Sequence, residues 1–370
     1  MKKITLQHRT ERYHASPALN VSKMKSLDNP KWVKYREDNP DTEDQDKRHY
    51  RIGGAIDSIL TSPELFNQEY VVSYRERPGG LMGIFIDALP LDLDPESDIE
   101  LYREAYDESG YKTRMELIVK KLWEVEKYME YYMSRKQAKG KQVLSYDEWE
   151  EVQHCKEYLL NNPFTCKYFR STNPNLQHLF QVAIYVTLNE SDISANYTCT
   201  LEDQEFKGLL DGVLIDHEKK LIQPYDLKTI GRSVKMFPFT YYNLGYYLQG
   251  ALYYTLFKKW LEGEGTADFE GAEELRKKIK DYEVKPLVFI VTEKKTHHSN
   301  PAMIYRTTQE HVDFGLYGGT ANGKKYKGVF ELASNYQWHQ ANDYWDLNFD
   351  LYHNKGEVLL NAPETTSVYV

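Results

Sequence analysis

The chain predicts an α/β fold: a small mixed sheet flanked by helices, with a helical N-terminal region and a helical C-terminal cap. Three observations carry that expectation. Phe206–Asp216 and Leu221–Thr229 read as two strands joined by a short polar turn. Leu122, Val125, Met129, Tyr132 and Met133 recur at helical spacing within Thr113–Lys136. Between Leu179 and Thr307, strand-like runs are interrupted by one long helical stretch, Thr240–Glu262, the succession expected of a sheet with helices on its faces.

In chain order, residues 1–20 read as an arm. A first helix starts at Ser22 and runs through Trp32 and Tyr35, with an interruption near Asp28-Asn29-Pro30. Asn39–Arg48 is polar and loop-like. A second helix begins near Arg51 and carries Ile56, Ile59 and Leu60; Pro63 opens a further turn, and Glu69–Tyr74 reads as a strand. Residues 75–110 read as irregular, with Pro78-Gly79-Gly80 and an acidic stretch from Asp92 to Glu100. The helix over Thr113–Lys136 ends at Lys139-Gly140-Lys141. Another starts at Ser145, where Glu148 completes a capping box, and stops before Pro163, so the pair reads as a helical hairpin. Strands follow at Leu179–Leu188, 206–216 and 221–229, then at Lys285–Glu293 and Ala302–Thr307. The last sixty residues read as mainly helical, anchored by Trp338 and Trp345. Four segments result: 1–74 leading into the core, 75–165 as a helical insertion, 166–306 as the core, and 307–370 as the cap.

Composition bounds the function. The 370 residues are 41% hydrophobic, and no run of eighteen apolar residues suggests a membrane span. The opening Met1-Lys2-Lys3-Ile4-Thr5 leads into charge rather than an apolar signal core. Three cysteines, Cys155, Cys166 and Cys199, fit no zinc or iron–sulfur spacing and suit a reducing cytoplasm. A net charge of −9 argues against coating nucleic acid by bulk electrostatics but leaves room for one local basic groove.

The chemistry concentrates on the 206–229 hairpin. If His217–Lys220 form a four-residue loop, Asp216 pairs with Leu221, and counting outward sets Asp211 opposite Asp226. Strict alternation also puts Leu209, Val213 and Ile215 on the Asp211 face. Facing carboxylates destabilise a sheet, and burying them without a counter-charge costs several kcal/mol. A divalent cation supplies that counter-charge; magnesium takes one or two carboxylates and leaves positions for water and phosphate. Lys228, two residues past Asp226, shares its face and is placed to hold an attacking water and a phosphate. These parts together suit phosphodiester hydrolysis. Asp-x-Lys alone is also what an ordinary hairpin with an internal ion pair would show; the matched aspartate on the preceding strand tips the balance. Gly208 and Gly212 fit a close backbone approach or a bulge.

Gly208-Leu-Leu-Asp211, followed by Pro224-Tyr-Asp226-Leu-Lys228-Thr229, resembles the core motif of the PD-(D/E)xK nuclease superfamily. Gln249-Gly-Ala-Leu-Tyr253 resembles the Gln-x-x-x-Tyr motif of its RecB-type members. On a helix Gln249 and Tyr253 share a face, extended by Tyr242 and Tyr246, although an aromatic core stripe would look the same. Tyr13–Ser22 with Asn29-Pro30, and Gly53-Gly-Ala-Ile-Asp57 through Tyr70-Val-Val72, resemble exonuclease VIII-like and lambda-exonuclease-like phage recombination nucleases. Those relatives usually carry histidine where this chain has Asp57, and often glutamate where it has Gln181. The likeness covers roughly residues 12–74 and 138–306, and 75–137 match it only loosely.

The resemblance implies a restriction-endonuclease-like core and a magnesium-dependent deoxyribonuclease, with Mn2+ able to substitute. Asp211 and Asp226 would bind the cation with help from the Leu227 carbonyl, and Asp57 would complete the shell. Lys228 would orient the water, while Gln249 and Tyr253 would position the strand. It further implies an exonuclease that processes duplex DNA ends for recombination, beside a single-strand annealing protein, as a homo-oligomer in a bacterial or phage-infected cytoplasm. Two alternatives stand: a RecB-like structure-specific or single-strand nuclease, and a catalytically silent DNA-binding or assembly module. Lys207, Lys219, Lys220, Arg232 and Lys235 fit phosphate contacts and a solvated turn equally well. Lys294-Lys295-Thr-His297-His298 reads as an exposed loop, not a metal site, and His14, His154, His178 and His311 as structural.

Overall fold

The computed structural model describes residues 12–39, 48–73, 76–138, 141–294, 300–321 and 323–358. Most of the N-terminal arm, most of the 39–48 loop and the Lys295–His298 run fall outside them. The fold is a mixed α/β arrangement around a seven-stranded sheet. Its strands are β3 (Leu176–Leu188), β4 (Gln204–Asp216), β5 (Leu221–Ile230), β6 (Thr266–Ala267), β7 (Glu283–Val284), β8 (Val288–Glu293) and β9 (Met303–Arg306), in the order β6-β3-β4-β5-β8-β9 with β7 beside β5. β3, β4 and β5 run antiparallel; β5 and β8 are parallel. The parallel step needs a crossover, and the stretch between β5 and β8 supplies it with α10 (Phe237–Asn243), α11 (Tyr246–Glu262) and α12 (Ala272–Ile279).

N-terminal to the sheet lie α1 (Val21–Lys25), α2 (Pro30–Asp38), α3 (Arg48–Thr61) and α4 (Pro63–Glu69). Asn20 caps α1 and Asn29 caps α2 through their side chains, which explains the interruption between them. A parallel pair, β1 (Tyr70–Ser73) and β2 (Gln142–Ser145), brackets the insertion. After β2 comes α9 (Tyr146–Asn161), with the Ser145–Glu148 capping box in place.

Two apolar clusters sandwich the sheet. On one side α11 packs Leu252, Leu256 and Phe257 against Val182, Ile184, Leu210, Val213 and Phe289. On the other, Ile52 and Ile56 of α3 and Val152 and Leu159 of α9 meet Leu214, Tyr225, Leu227 and Ile290.

Three expectations fail, each for a local reason. Residues 75–110 are not irregular: α5 (Gly80–Ala88) and α6 (Arg103–Ser109) bury Met82, Phe85, Ile86 and Ala105 in a third cluster with Tyr102, Leu122 and Tyr132. The helix expected over 113–136 is two, α7 (Met115–Glu124) and α8 (Glu126–Ala138), because Val125 is extended at φ −94°, ψ 108°. Nor do α8 and α9 form a hairpin. Tyr131 and Tyr132 of α8 belong to the insertion's cluster, whereas Val152, Cys155 and Leu159 of α9 face the sheet. The C-terminal part is mainly helical as expected, with α13 (Gln309–Tyr317), α14 (Val329–Asn342) and α15 (Phe349–His353) around a short hairpin of β10 (Gly319–Ala321) and β11 (Lys324–Tyr326). Trp338 packs on Tyr352 and Trp345 on His339, their ring centroids 4.7 and 5.3 Å apart. No helix among the described residues is long and apolar enough to cross a membrane.

Candidate metal centre

The β4–β5 hairpin has the register that its four-residue turn demands: Asp216 opposite Leu221, then inward to Gly212 opposite Tyr225. There the pairing ends. Asp211 and Asp226 lie just beyond the last pair, in a seam where β5 continues beside β8 instead. The Asp211 carboxylate reaches into that seam and accepts the Leu227 amide at 2.7 Å. It thus takes the bond that a continuing β4 ladder would have supplied.

The strict alternation expected along β4 breaks at this point. Val213 and Ile215 join the α11-side cluster, but so do Leu210 and Phe206, and Leu209 does not. β3 slips in step. Phe180 pairs with Gly212 and Val182 with Leu210, while Gln181 between them adopts φ +50°. A non-glycine residue in the left-handed region is uncommon and strained. The slip takes Asp211 out of the apolar face. Gly212 is required just below it, since a Cβ there would stand 2.1 Å from the Tyr225 ring. At Gly208 the neighbour is Tyr253 at 2.9 Å. Side chains, not a ligand, therefore account for both glycines.

Alternation holds on β5. Asp226 and Lys228 share a face and form an ion pair, Asp226 being 1% exposed. The other Asp226 oxygen, Oδ1, accepts Gln249 Nε2 at 2.5 Å. Gln249 reaches the strand because α11 begins at Tyr246. The single helix expected over 240–262 is broken at Gly245, φ +67°. That break turns Tyr242 away to Phe314 and Tyr326, so Tyr242 does not extend the Gln249 face. Tyr246 does belong to the site, with the Lys228 ammonium 5.0 Å from its ring centroid. Tyr253, a turn beyond Gln249, is 8% exposed and packed against Gly208, behind the acids rather than on an open groove.

Asp57 approaches from α3 on the opposite side of the sheet, where its Oδ2 accepts Gln181 Nε2. Thus Gln181 orients an acid. The three carboxyls feel one another. Burial, then Asp211 and Asp226, holds Asp57 well above the usual carboxylate range. Burial and then Asp226 push Asp211 up to about 7. Asp226 is raised by burial against the pull of Lys228. Burial works against the Lys228 ammonium, but Asp226 and Asp211 outweigh it and raise its pKa. One buried carboxylate oxygen, Asp57 Oδ1, accepts no hydrogen bond, and Asp226 Oδ2 meets the Lys228 ammonium. With all three acids ionised against one ammonium, the seam is two negative charges in excess, the charge of one divalent cation.

The fit is to a sparse site. Among the described residues no group of three or more His, Cys, Asp or Glu side chains is arranged as a metal cage. Magnesium does not need one, because waters and substrate phosphate fill most of its octahedron. The Lys228–Asp226 pair is also what an ordinary charged hairpin would form; it leaves Asp211 and Asp57, both forced toward protonation, without a reason.

Of the basic residues singled out in the sequence, Lys207 is excluded from phosphate binding. It is 4% exposed and donates to the Tyr13 and Ser16 carbonyls, both at 2.7 Å. Lys219 pairs with Asp216 in the turn. One neighbour of the site escaped the sequence reading: Lys25 at the end of α1, whose ammonium donates to the Leu244 carbonyl at 2.9 Å. No local motif marks it, since the contact spans more than two hundred residues. An open cleft of about 800 Å³ lies elsewhere, lined by Arg48, Arg51, Arg77, Tyr131 and Tyr146, and contains none of the three acids.

No protein-family model matches the chain, and no curated protein does. Among solved structures it is similar to the crystal structure of a putative exonuclease from Eubacterium rectale, at 11% identity and a TM-score of 0.44, over 96% of this chain and 93% of that one.

Proposed function

We propose that this chain is a divalent-metal-dependent deoxyribonuclease that degrades duplex DNA from its ends. One observation carries the reading: half-buried Asp211 and buried Asp226 lie beside Lys228 where two strands part, two acids against one ammonium. Asp211 and Asp226 would hold Mg2+ or Mn2+, with the Leu227 carbonyl as a further oxygen donor and Asp57, bonded to Gln181, behind them. A bound cation polarises a phosphoryl oxygen and lowers the pKa of its water. Lys228 holds the attacking water and the phosphate by charge. Gln249 fixes the Asp226 carboxylate through Oδ1, as supporting residues around metal ligands do. Tyr253 acts as packing behind β4. The preference for ends, a single-strand annealing partner, a ring-like homo-oligomer and a cytoplasmic setting rest on the sequence resemblance.

The test uses end-labelled linear duplex and covalently closed circular duplex, each incubated with Mg2+ or Mn2+ and either wild type or Lys228→Ala. Loss of linear but not circular DNA, in wild type alone, is the expected result. Cleavage of circles would make it an endonuclease. No cleavage by wild type with either metal would sink the enzymatic reading and leave the silent DNA-binding module.

A further inference from the structure

Lys25 stands at the rim of the acidic seam, in ion-pair contact with no carboxylate among the described residues. Helix α1 is pinned from beneath by buried Val21 and Met24 and capped by Asn20. The two lysines of this helix differ in their partners. Lys23 is paired with Glu37 at 2.8 Å. Lys25 has no ion pair among the described residues; its ammonium donates to the Leu244 carbonyl. Gly245 makes room for it, because a Cβ there would stand 2.6 Å from Lys25 Cδ. The Lys25 ammonium also lies 5.7 Å from the centroid of the Tyr246 ring. The Lys228 ammonium stands 5.0 Å from the same ring. Tyr246 is therefore a spacer between a cation already matched by Asp226 and one that is not.

Burial and the Lys228 charge pull the Lys25 amine down to about 8, against Asp226, so it lies within electrostatic reach of the centre. Lys228 repels the Lys25 ammonium and Asp226 attracts it from a distance, so Lys25 has no anion in direct contact among the described residues. A backbone phosphate lying across Tyr246 would supply the missing anion, since phosphate contacts from lysine fix the register of a nucleic-acid strand.

We infer that Lys25 binds a backbone phosphate of the substrate strand next to the one cleaved, with Tyr246 setting the spacing between the two phosphates. This rests on the nuclease reading above and makes Lys25 a positioning residue, since it touches neither the metal ligands nor the scissile bond.

The test compares wild type, Lys25→Gln and Lys25→Arg in two assays. Fluorescence anisotropy with a labelled duplex in EDTA measures binding at several salt concentrations. Steady-state cleavage of linear duplex in Mg2+ separates KM from kcat. For Lys25→Gln, removing one phosphate contact should weaken binding uniformly and reduce the salt slope by about 1. KM should rise roughly tenfold, with kcat changing much less. Lys25→Arg, which keeps the charge, should recover most of both. A merely structural peg on Leu244 would lower the melting temperature and leave the salt slope alone; that outcome, or unchanged KM in an active wild type, overturns the assignment. If wild type cleaves DNA, the nuclease reading survives that failure. If wild type neither binds nor cleaves, both fall.

Discussion

The two ends of the β4–β5 hairpin obey different rules. From the turn to Gly212–Tyr225 the strands are fully paired, and Val213, Ile215 and Ile222 disappear into a dry cluster. One residue further the ladder stops, the alternation of β4 slips, and three carboxyls and an ammonium crowd the opening. The paired end gains stability from apolar burial. The open end holds buried acids with shifted pKa values, an arrangement that costs stability and is typical of functional sites. Strain at Gln181 falls at the border between them.

Substitutions at the two ends should therefore separate activity from stability. The largest effect is expected at Lys228. Removing a charge aimed at the reacting phosphate should lower kcat by about 10²–10³-fold, the loss seen when one such electrostatic group is deleted. Stability should fall too, because the buried Asp226 carboxylate loses its partner, so a denaturant melt beside the rate assay establishes that the variant assayed is folded. At the closed end, Ile215→Ala should cost stability alone. Ile215 is fully buried, so truncation should cost about 2–5 kcal/mol. The protein that stays folded should cleave at the wild-type rate, and a large fall in kcat would erase the distinction between the ends. Gln249→Ala should show a smaller loss, about 10–100-fold in metal affinity or activity, as expected for a residue that orients a metal ligand.

How much of this was legible in the sequence follows the same border. The turn length fixed the register of the paired end, and period-two alternation placed Asp226 with Lys228. The slip at Asp211 was not legible, since it depends on Gln181 of a neighbouring strand and on the Tyr225 ring against Gly212. Gly245 in a helical pattern was a visible signal for the break that aims Gln249 at Asp226, but its left-handed φ appears only in the fold. Helices α5 and α6 of the insertion were hidden because each is short and buries its apolar residues against other segments of the insertion rather than the sheet. Lys25 lay beyond any local pattern.

The smallest effect expected is the pH dependence of the metal-free protein. Asp211 is pushed up to about 7, by burial first and Asp226 next, and Asp57 and Asp226 move the same way. An unfolded aspartate titrates near about 3.9. Between those values the folded chain keeps a proton that the unfolded chain has lost, so stability falls as pH rises and levels off above about 7. Urea midpoints in EDTA between about pH 5 and about pH 8 should show this decline, shallower in Asp211→Asn. A midpoint that rises across that window would mean that the acids are compensated without a metal.

The most direct measurement is a calorimetric titration of Mn2+ into wild type and Asp211→Asn, with circular dichroism to establish that both are folded. The account predicts a saturable binding heat in wild type that is absent or greatly weakened in the variant. Equal binding in the two proteins, or none in either, would contradict it: the open end of the hairpin would then be a charged seam and not a metal centre.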